Sequence, residues 1–249
     1  TEHELAVATP SEEQVQAAFK DVPFGVPDEP TPAGGGSGAG RAFSVQGYGL
    51  MKWRDLFTPR QLMALGTFVA ATRAARCDMA FPQLPPEWIE AISAYLASIL
   101  DFVINRNSTI CTWTLTRQTT RSTFARFALP ISWDFSEASV LEQGSGGYSG
   151  AIDWIGRCID HTLSFATDCP APSVEQRSAT APSDKGYDVV LTDPPYYDAI
   201  PYSDLMDYFH IWLRRTLFGI SPSVDAAFAH TLSPKWDSEA NDGELIDDC

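Results

Sequence analysis

Asp188-Val189-Val190-Leu191-Thr192-Asp193-Pro194-Pro195-Tyr196 is the stretch on which the reading of this chain turns. Val189, Val190 and Leu191 form a short unbroken apolar run with β-branched content, the composition of a strand buried on both faces of a parallel sheet. Ligands in such sheets bind beyond the carboxyl ends of the strands, where Asp193 would lie. Proline holds its own φ at about −65° and pushes the residue before it into extended geometry, so Asp193 and Pro194 are both held extended. Along the stiff loop that results, the Asp193 carboxylate and the Pro194 carbonyl can face one way as two acceptors for an amino group. Tyr196 adds a flat ring on which a planar base can stack.

That arrangement suits a particular chemistry. An exocyclic amine on a nucleobase is a poor nucleophile because its lone pair is delocalised into the ring. Two acceptors drawing on its hydrogens favour a pyramidal nitrogen and stabilise the positive charge that develops there. A methyl sulfonium donor held in line with the nitrogen makes the displacement effectively intramolecular. The competing reading is a strand-terminating turn, since Asp and Pro are ordinary turn residues.

Asp193-Pro194-Pro195-Tyr196 at a strand end resembles the catalytic motif of the S-adenosylmethionine-dependent amino-methyltransferases, the adenine-specific DNA methyltransferases in particular. The run from Leu191 to Arg215 looks more narrowly like large prokaryotic DNA methylases associated with defence and restriction systems, as do Gly47–Leu62 and Phe124–Pro130. This resemblance, spanning residues 41–220, implies a partial Rossmann-like α/β methyltransferase fold. It implies S-adenosylmethionine as donor substrate, DNA as partner and defence-system proteins as further partners. It also implies that Asp193, Pro194 and Pro195 form the catalytic loop around the amine while Tyr196 stacks on a flipped base. Tyr197 and Asp198 follow as candidate substrate contacts. Where the family carries an acid for the donor's adenine, this chain has Ser178-Ala179-Thr180, so no donor-binding residue is assigned.

The net charge of −15 argues against a DNA partner until it is divided along the chain. Residues 1–30 carry seven acids against Lys20 and residues 225–249 carry seven against Lys235, so the two ends supply −12. Between them, 41–77 holds Arg41, Lys52, Arg54, Arg60, Arg73 and Arg76 against Asp55 alone. Residues 102–133 hold Arg106, Arg117, Arg121 and Arg126 with no acid. Such a local basic balance is what a phosphate-contacting surface needs, though the same arginines also suit ordinary solvated helix faces. Cys77, Cys111, Cys158, Cys169 and Cys249 are scattered without a Cys-x-x-Cys pair, and His3, His161, His210 and His230 show no metal-ligand spacing. Neither a metal site nor a disulfide framework is expected, and His210 reads as a packing or surface residue. No apolar run reaches the length of a membrane span and no signal peptide is visible, so a soluble cytoplasmic protein is expected.

Four regions follow. Residues 1–40 read as an acidic linker, with five prolines and the glycine run 34–40. The glycine run lacks the preceding strand and following helix of a nucleotide loop. Residues 41–170 read as a mainly helical insertion. Thr58-Pro59-Arg60-Gln61 opens a helix to about Arg76, with threonine as N-cap, proline at the first position and glutamine closing a capping box. Pro85-Pro86-Glu87 opens a second, with Trp88, Ile92, Tyr95, Leu96, Ile99 and Val103 at helical spacing. A shorter helix is expected around Phe124 and Phe127, and another from Ala151 to about Ala166 behind the Gly144–Gly147 loop. Residues 171–224 hold the catalytic strand and then a helix, Tyr202–Phe218, with Asp204 and Asp207 early, Arg214 and Arg215 late, and Gly219 as its stop. Residues 225–249 read as an acidic tail. A Gly-rich donor loop and the strands that would complete the sheet are not visible, so the chain reads as an internal piece of a longer enzyme. Cytosine N4, an RNA guanine or a protein amide would fit the two-acceptor loop as well as adenine N6 does. A non-catalytic nucleic-acid-binding or assembly module is the reading from a different class.

Overall fold

The structure, a computed structural model, describes residues 9–34, 38–80, 84–166, 169–175, 186–193, 200–235, 237, 239 and 240. Helices dominate: α1 (Glu12–Ala18), α2 (Pro59–Ala80), α3 (Pro86–Ile104), α4 (Tyr148–Ala166), α5 (Tyr202–Leu217) and α6 (Pro222–Ala227), with short 3-10 turns at Gly38–Ala42, Val45–Tyr48 and Trp53–Leu56. Their starts are written in the sequence. At α1 the Ser11 amide donates to Gln14 Oε1 at 2.8 Å while the Gln14 amide donates to Ser11 Oγ at 3.3 Å. At α2 the expected box is present, the Thr58 amide reaching Gln61 Oε1 at 2.8 Å and the Gln61 amide reaching Thr58 Oγ1 at 3.2 Å. Each reciprocal pair satisfies donors that the first helical turn leaves open. Proline at the first position of α3 and of α6 lacks only an N–H that would have had no partner there.

The core lies where α1, α2, α3 and α5 meet. Aromatic rings fill its centre. Tyr208 stacks on Phe57 with centroids 5.9 Å apart and meets Trp53 and Phe124 edge-on at 5.8 and 5.1 Å. Trp212, one turn on, packs edge-on to Phe57 at 5.5 Å and against Phe19 at 6.2 Å. Rings at such separations add to the gain from burying their large areas. Phe19 follows α1 and lies directly on Gly66 of α2, where a Cβ would stand 2.5 Å from the ring. That glycine lets the two segments approach.

The expected α/β fold, a partial Rossmann-like methyltransferase, is overturned. Among the described residues the only sheet is an antiparallel pair of two-residue strands, β1 (Trp113–Thr114) and β2 (Thr119–Thr120), with Trp113 opposite Thr120. Val189, Val190 and Leu191 form no strand and are 72%, 72% and 91% exposed. A strand buried on two faces needs neighbouring strands to take its backbone hydrogen bonds, and the described residues supply none beside it. The helix expected around Phe124 and Phe127 is instead a turn, Phe124 half-buried against the core and Phe127 exposed. Its amide geometry is set by tertiary partners: the Thr123 amide donates to Asn105 O at 2.6 Å and the Leu129 amide to Ala42 O at 2.9 Å.

The N-terminal segment, read as linker, contributes Val15, Phe19, Val22 and Val26 to the core, each at most 5% exposed. It is bound by charge as well. Arg54 holds both Glu12 oxygens at 2.7 and 2.8 Å, which lowers the Glu12 carboxyl from its ordinary range and raises the Arg54 guanidinium.

Candidate functional site

Asp193 is exposed, at the end of the exposed segment 186–193. Pro194, Pro195, Tyr196, Tyr197 and Asp198 lie outside the described residues. The chain is described again from Ile200, and Pro201 precedes α5. The frame that carries the motif downstream is therefore α5, the helix whose inner face is most completely enclosed: Ser203, Asp207, Tyr208, Ile211, Trp212, Arg215 and Thr216 are all buried.

Polar locks hold α5 at both ends. Near its start, Lys235 Nζ sits 2.8 Å from Asp204 Oδ1 and 2.8 Å from Asp207 Oδ2, and the Ser233 amide donates to Asp207 Oδ1 at 2.7 Å. The two aspartates, placed to complement the helix dipole, thus also dock the segment after α6. Near its end, the buried Arg215 donates to the carbonyls of Gly25 at 2.7 Å, Val26 at 3.0 Å and Ile211 at 2.8 Å, and reaches Glu29 at 2.9 Å. Arg73 Nη1 from α2 reaches the carbonyls of Arg215, Thr216 and Phe218 at 3.1, 3.1 and 2.8 Å, satisfying acceptors that the helix end leaves open. Burial lowers the pKa of both guanidiniums, and Glu29 partly offsets the effect at Arg215. The chain leaves α5 through Gly219, the stop expected from the sequence, at φ +85° in the left-handed region that favours glycine.

A buried polar cluster beside the aromatic core escaped the sequence reading. Tyr208 Oη donates to Ile104 O at 2.9 Å and lies 3.3 Å from Thr123 Oγ1, which is 2.8 Å from Ser108 Oγ. Cys111 Sγ is within 3.4 Å of Ser108 Oγ and 3.5 Å of Thr123 Oγ1. Burial pushes the Tyr208 phenol well up, so it stays protonated and acts as a donor. Every member is buried, so the cluster ties α3, the turn after it and α5 together. On α3 nearby, Asp101 is half-buried and its carboxylate has no hydrogen-bond partner among the described residues; burial raises its pKa well above the usual carboxylate range. His210 contacts the Phe228 ring and has Nε2 3.2 Å from His230 O, a packing role. Burial lowers its pKa first of all.

The two basic stretches part company in three dimensions. In the first, Lys52 and Arg54 face Asp28 at 3.5 Å, Arg54 also grips Glu12, Arg60 pairs with Glu137 at 2.8 Å, and Arg73 binds carbonyls. In the second, Arg106 lies over the Phe102 ring, 3.8 Å from its centroid. Arg117, Arg121 and Arg126 are exposed and pair with no acid among the described residues.

Among the described residues no three or more His, Cys, Asp or Glu side chains group as metal ligands, and no helix is long and apolar enough to cross a membrane. Nor do those residues form a strand-to-helix glycine loop for a methyl donor. The nearest approach, Gly144–Gly147 ahead of α4, is closed on protein. The Gly147 amide donates to Gly144 O at 3.2 Å and the Tyr148 amide to Val140 O at 2.9 Å, and a Cβ on Gly146 would stand 2.9 Å from Ala138. Comparison with family models, curated proteins and solved structures finds no match for this chain.

Proposed function

We propose that the chain carries the acceptor loop of a DNA methyltransferase, moving a methyl group from S-adenosylmethionine to N6 of an adenine swung out of the duplex. The observation that carries this is Asp193-Pro194-Pro195-Tyr196 with the Asp193 carboxylate open to solvent. A side chain held inside the core could not meet a base. Further support comes from the helix that follows, whose start is tied by Asp204 and Asp207 to Lys235, so the loop's downstream end leaves a fixed point. Positioning of that kind is the main thing a protein contributes to a displacement of this type.

The donor supplies the methyl group when bound, and the described residues do not form its site. The chemistry assigned to this chain therefore concerns the acceptor alone. Asp193 draws on one hydrogen of the amine and the Pro194 carbonyl on the other, while Tyr196 stacks beneath the base. Two full or partial negative charges beside the nitrogen stabilise the positive charge that grows there. A cytoplasmic location and partners from a defence system belong to the same proposal, resting on the resemblance of residues 41–220.

The test is to express the whole gene that encodes this chain in cells lacking adenine methylation, digest their DNA, RNA and protein, and measure methylated nucleosides and amides by mass spectrometry. N6-methyladenine is expected in DNA from wild type and absent with Asp193→Ala, while DNA affinity is unchanged. Methylcytosine, methylguanine or a methylated protein amide would transfer the reading to those acceptors. The exposed, unpaired arginines favour a second reading, a nucleic-acid-binding module in which the motif is only a turn. DNA binding without any Asp193-dependent methylation would establish it.

A further inference from the structure

The hairpin between α3 and α4 is the strongest feature that the proposed loop leaves unexplained. Its strands are only two residues each, yet it stands on a fixed base. The Arg121 amide donates to Thr112 O at 2.8 Å, the Ser136 amide to Cys111 O at 2.8 Å, and Ser145 Oγ to Thr120 O at 3.0 Å. Cys111, Thr120 and Thr123 beneath it are buried. Gln118 closes the four-residue loop at φ +48°, the left-handed geometry that hairpin loops call for.

What this base holds outward is unusual for a surface. Trp113 on β1 and Leu115 at the start of the loop are 53% and 83% exposed. Arg117 at the tip, and Arg121 and Arg126 beyond it, have no acidic partner among the described residues. The exposed Phe127 ring follows Arg126 directly. Trp133, 85% exposed, meets Tyr48 edge-on at 5.6 Å. It lies three residues before Ser136, hence within about 11 Å of that anchor by chain length. Acids of the N-terminal segment neutralise Lys52 and Arg54 but do not reach here, so in a chain of net charge −15 this patch keeps its positive charge.

We propose that the hairpin and the turn after it bind a nucleic-acid strand with unstacked bases, the arginines holding phosphates and Trp113, Leu115 and Phe127 covering base faces. Interleaved cations and aromatic rings are the surface that unpaired strands recognise, because every base has a face to stack and every linkage a charge to pair. A duplex with all bases stacked would leave the apolar residues without a partner. An acidic peptide would use the arginines but offers no regular series of planar faces for the rings, whereas an anionic membrane would accept both arginines and apolar side chains and is separated by vesicle binding. The turn 123–127 rests on α5 through Phe124, whose ring is 5.5 Å from Phe209, and α5 is the helix that follows the Asp193 loop. Binding here would hold the strand from which a base is displaced toward that loop. The strand-binding claim itself rests on the hairpin, and only this last link rests on the methyltransferase reading.

Fluorescence anisotropy tests it, using the full chain, a labelled single strand of about 16 nucleotides and the matching duplex across about 50–200 mM salt. The single strand is expected to bind more tightly than the duplex. Arg117→Ala/Arg121→Ala/Arg126→Ala should reduce the slope of log affinity against log salt by about 2, and Trp113→Ala should weaken binding roughly tenfold. The arginines have no acidic partner to lose among the described residues and Trp113 is more than half exposed, so thermal unfolding of the variants should stay close to wild type. Unchanged affinity in both variants overturns the proposal. So does tighter duplex binding that ignores Trp113, or binding to phosphatidylserine vesicles with none to the strand. Strand binding that depends on the hairpin in a protein that never methylates DNA would defeat only the proposed function. Asp193-dependent methylation with hairpin variants at full affinity and rate would defeat only this inference.

Discussion

Replacing Arg215 by methionine should cost the chain about 3–5 kcal/mol, the loss expected when one partner of a buried ion pair is removed. The guanidinium is 1% exposed and its partner Glu29 7%, so water cannot take its place. Without it the Glu29 carboxylate and the carbonyls of Gly25 and Val26 lose their donor at 2.9, 2.7 and 3.0 Å, and each unsatisfied buried acceptor costs about 1–3 kcal/mol. Methionine retains some of the packing of the aliphatic stem, which limits the loss. Taking both charges out of water costs much of what their attraction returns, so the pair is no large net stabiliser. Glu29→Gln, which keeps an acceptor, should accordingly lose less, and the double variant should lose less than the sum of the two. Urea unfolding followed by circular dichroism and tryptophan fluorescence measures all three. In a chain of this size the melting temperature should fall by roughly 2–4 °C per kcal/mol. Trypsin cleavage after Lys20 should also quicken, because segment 24–29 is released. A loss below about 1 kcal/mol, or strict additivity of the two substitutions, would refute the argument that Arg215 binds the N-terminal segment to α5.

Two further outcomes are expected. Asp101→Asn should stabilise the fold at neutral pH, because the folded-state pKa of Asp101 is raised by burial. A raised carboxyl contributes its stability below the unfolded value near 3.8 and loses it as pH rises through the folded value. The advantage of the asparagine should therefore vanish at acid pH, and an equal effect at every pH would contradict the assignment. Tyr208→Phe keeps the ring in its aromatic cage and removes only the hydroxyl on Ile104 O and Thr123. A loss of about 0.5–1.5 kcal/mol in the same urea titration is expected, and a gain would show that the cluster is frustrated.

What the sequence says of the candidate site rests on local signals, and Pro194 to Asp198 lie outside the described residues. A Pro-Pro step constrains its neighbours by covalent geometry, so a stiff loop after Asp193 follows from residue identity alone. The helix after it was readable from period and termini, and the structure places it at Tyr202–Leu217 with Asp204 first, Arg214 and Arg215 last, and Gly219 beyond. The apolar run Val189–Leu191 misled because a buried strand is defined by what pairs with it. An unbroken apolar triplet states a preference for burial and nothing about whether partners are at hand. The basic stretches were ambiguous for the same reason. Whether an arginine is free or neutralised depends on acids far away in sequence, as Arg54 and Glu12 show.

By itself the sequence marked the starts of α2 and α3, through the Thr58–Gln61 box and the Pro85-Pro86 step, and the extent of α5 up to the glycine beyond it. These are contacts within a few residues, whose geometry the backbone imposes. Tertiary structure alone decided that Val15, Phe19, Val22 and Val26 of an acidic, proline-rich stretch would enter the core, that Arg215 would sit buried among its carbonyls, and that Arg117, Arg121 and Arg126 would keep their charge exposed. Burial and charge pairing are set by residues distant along the chain, and local pattern carries no record of which of them will meet.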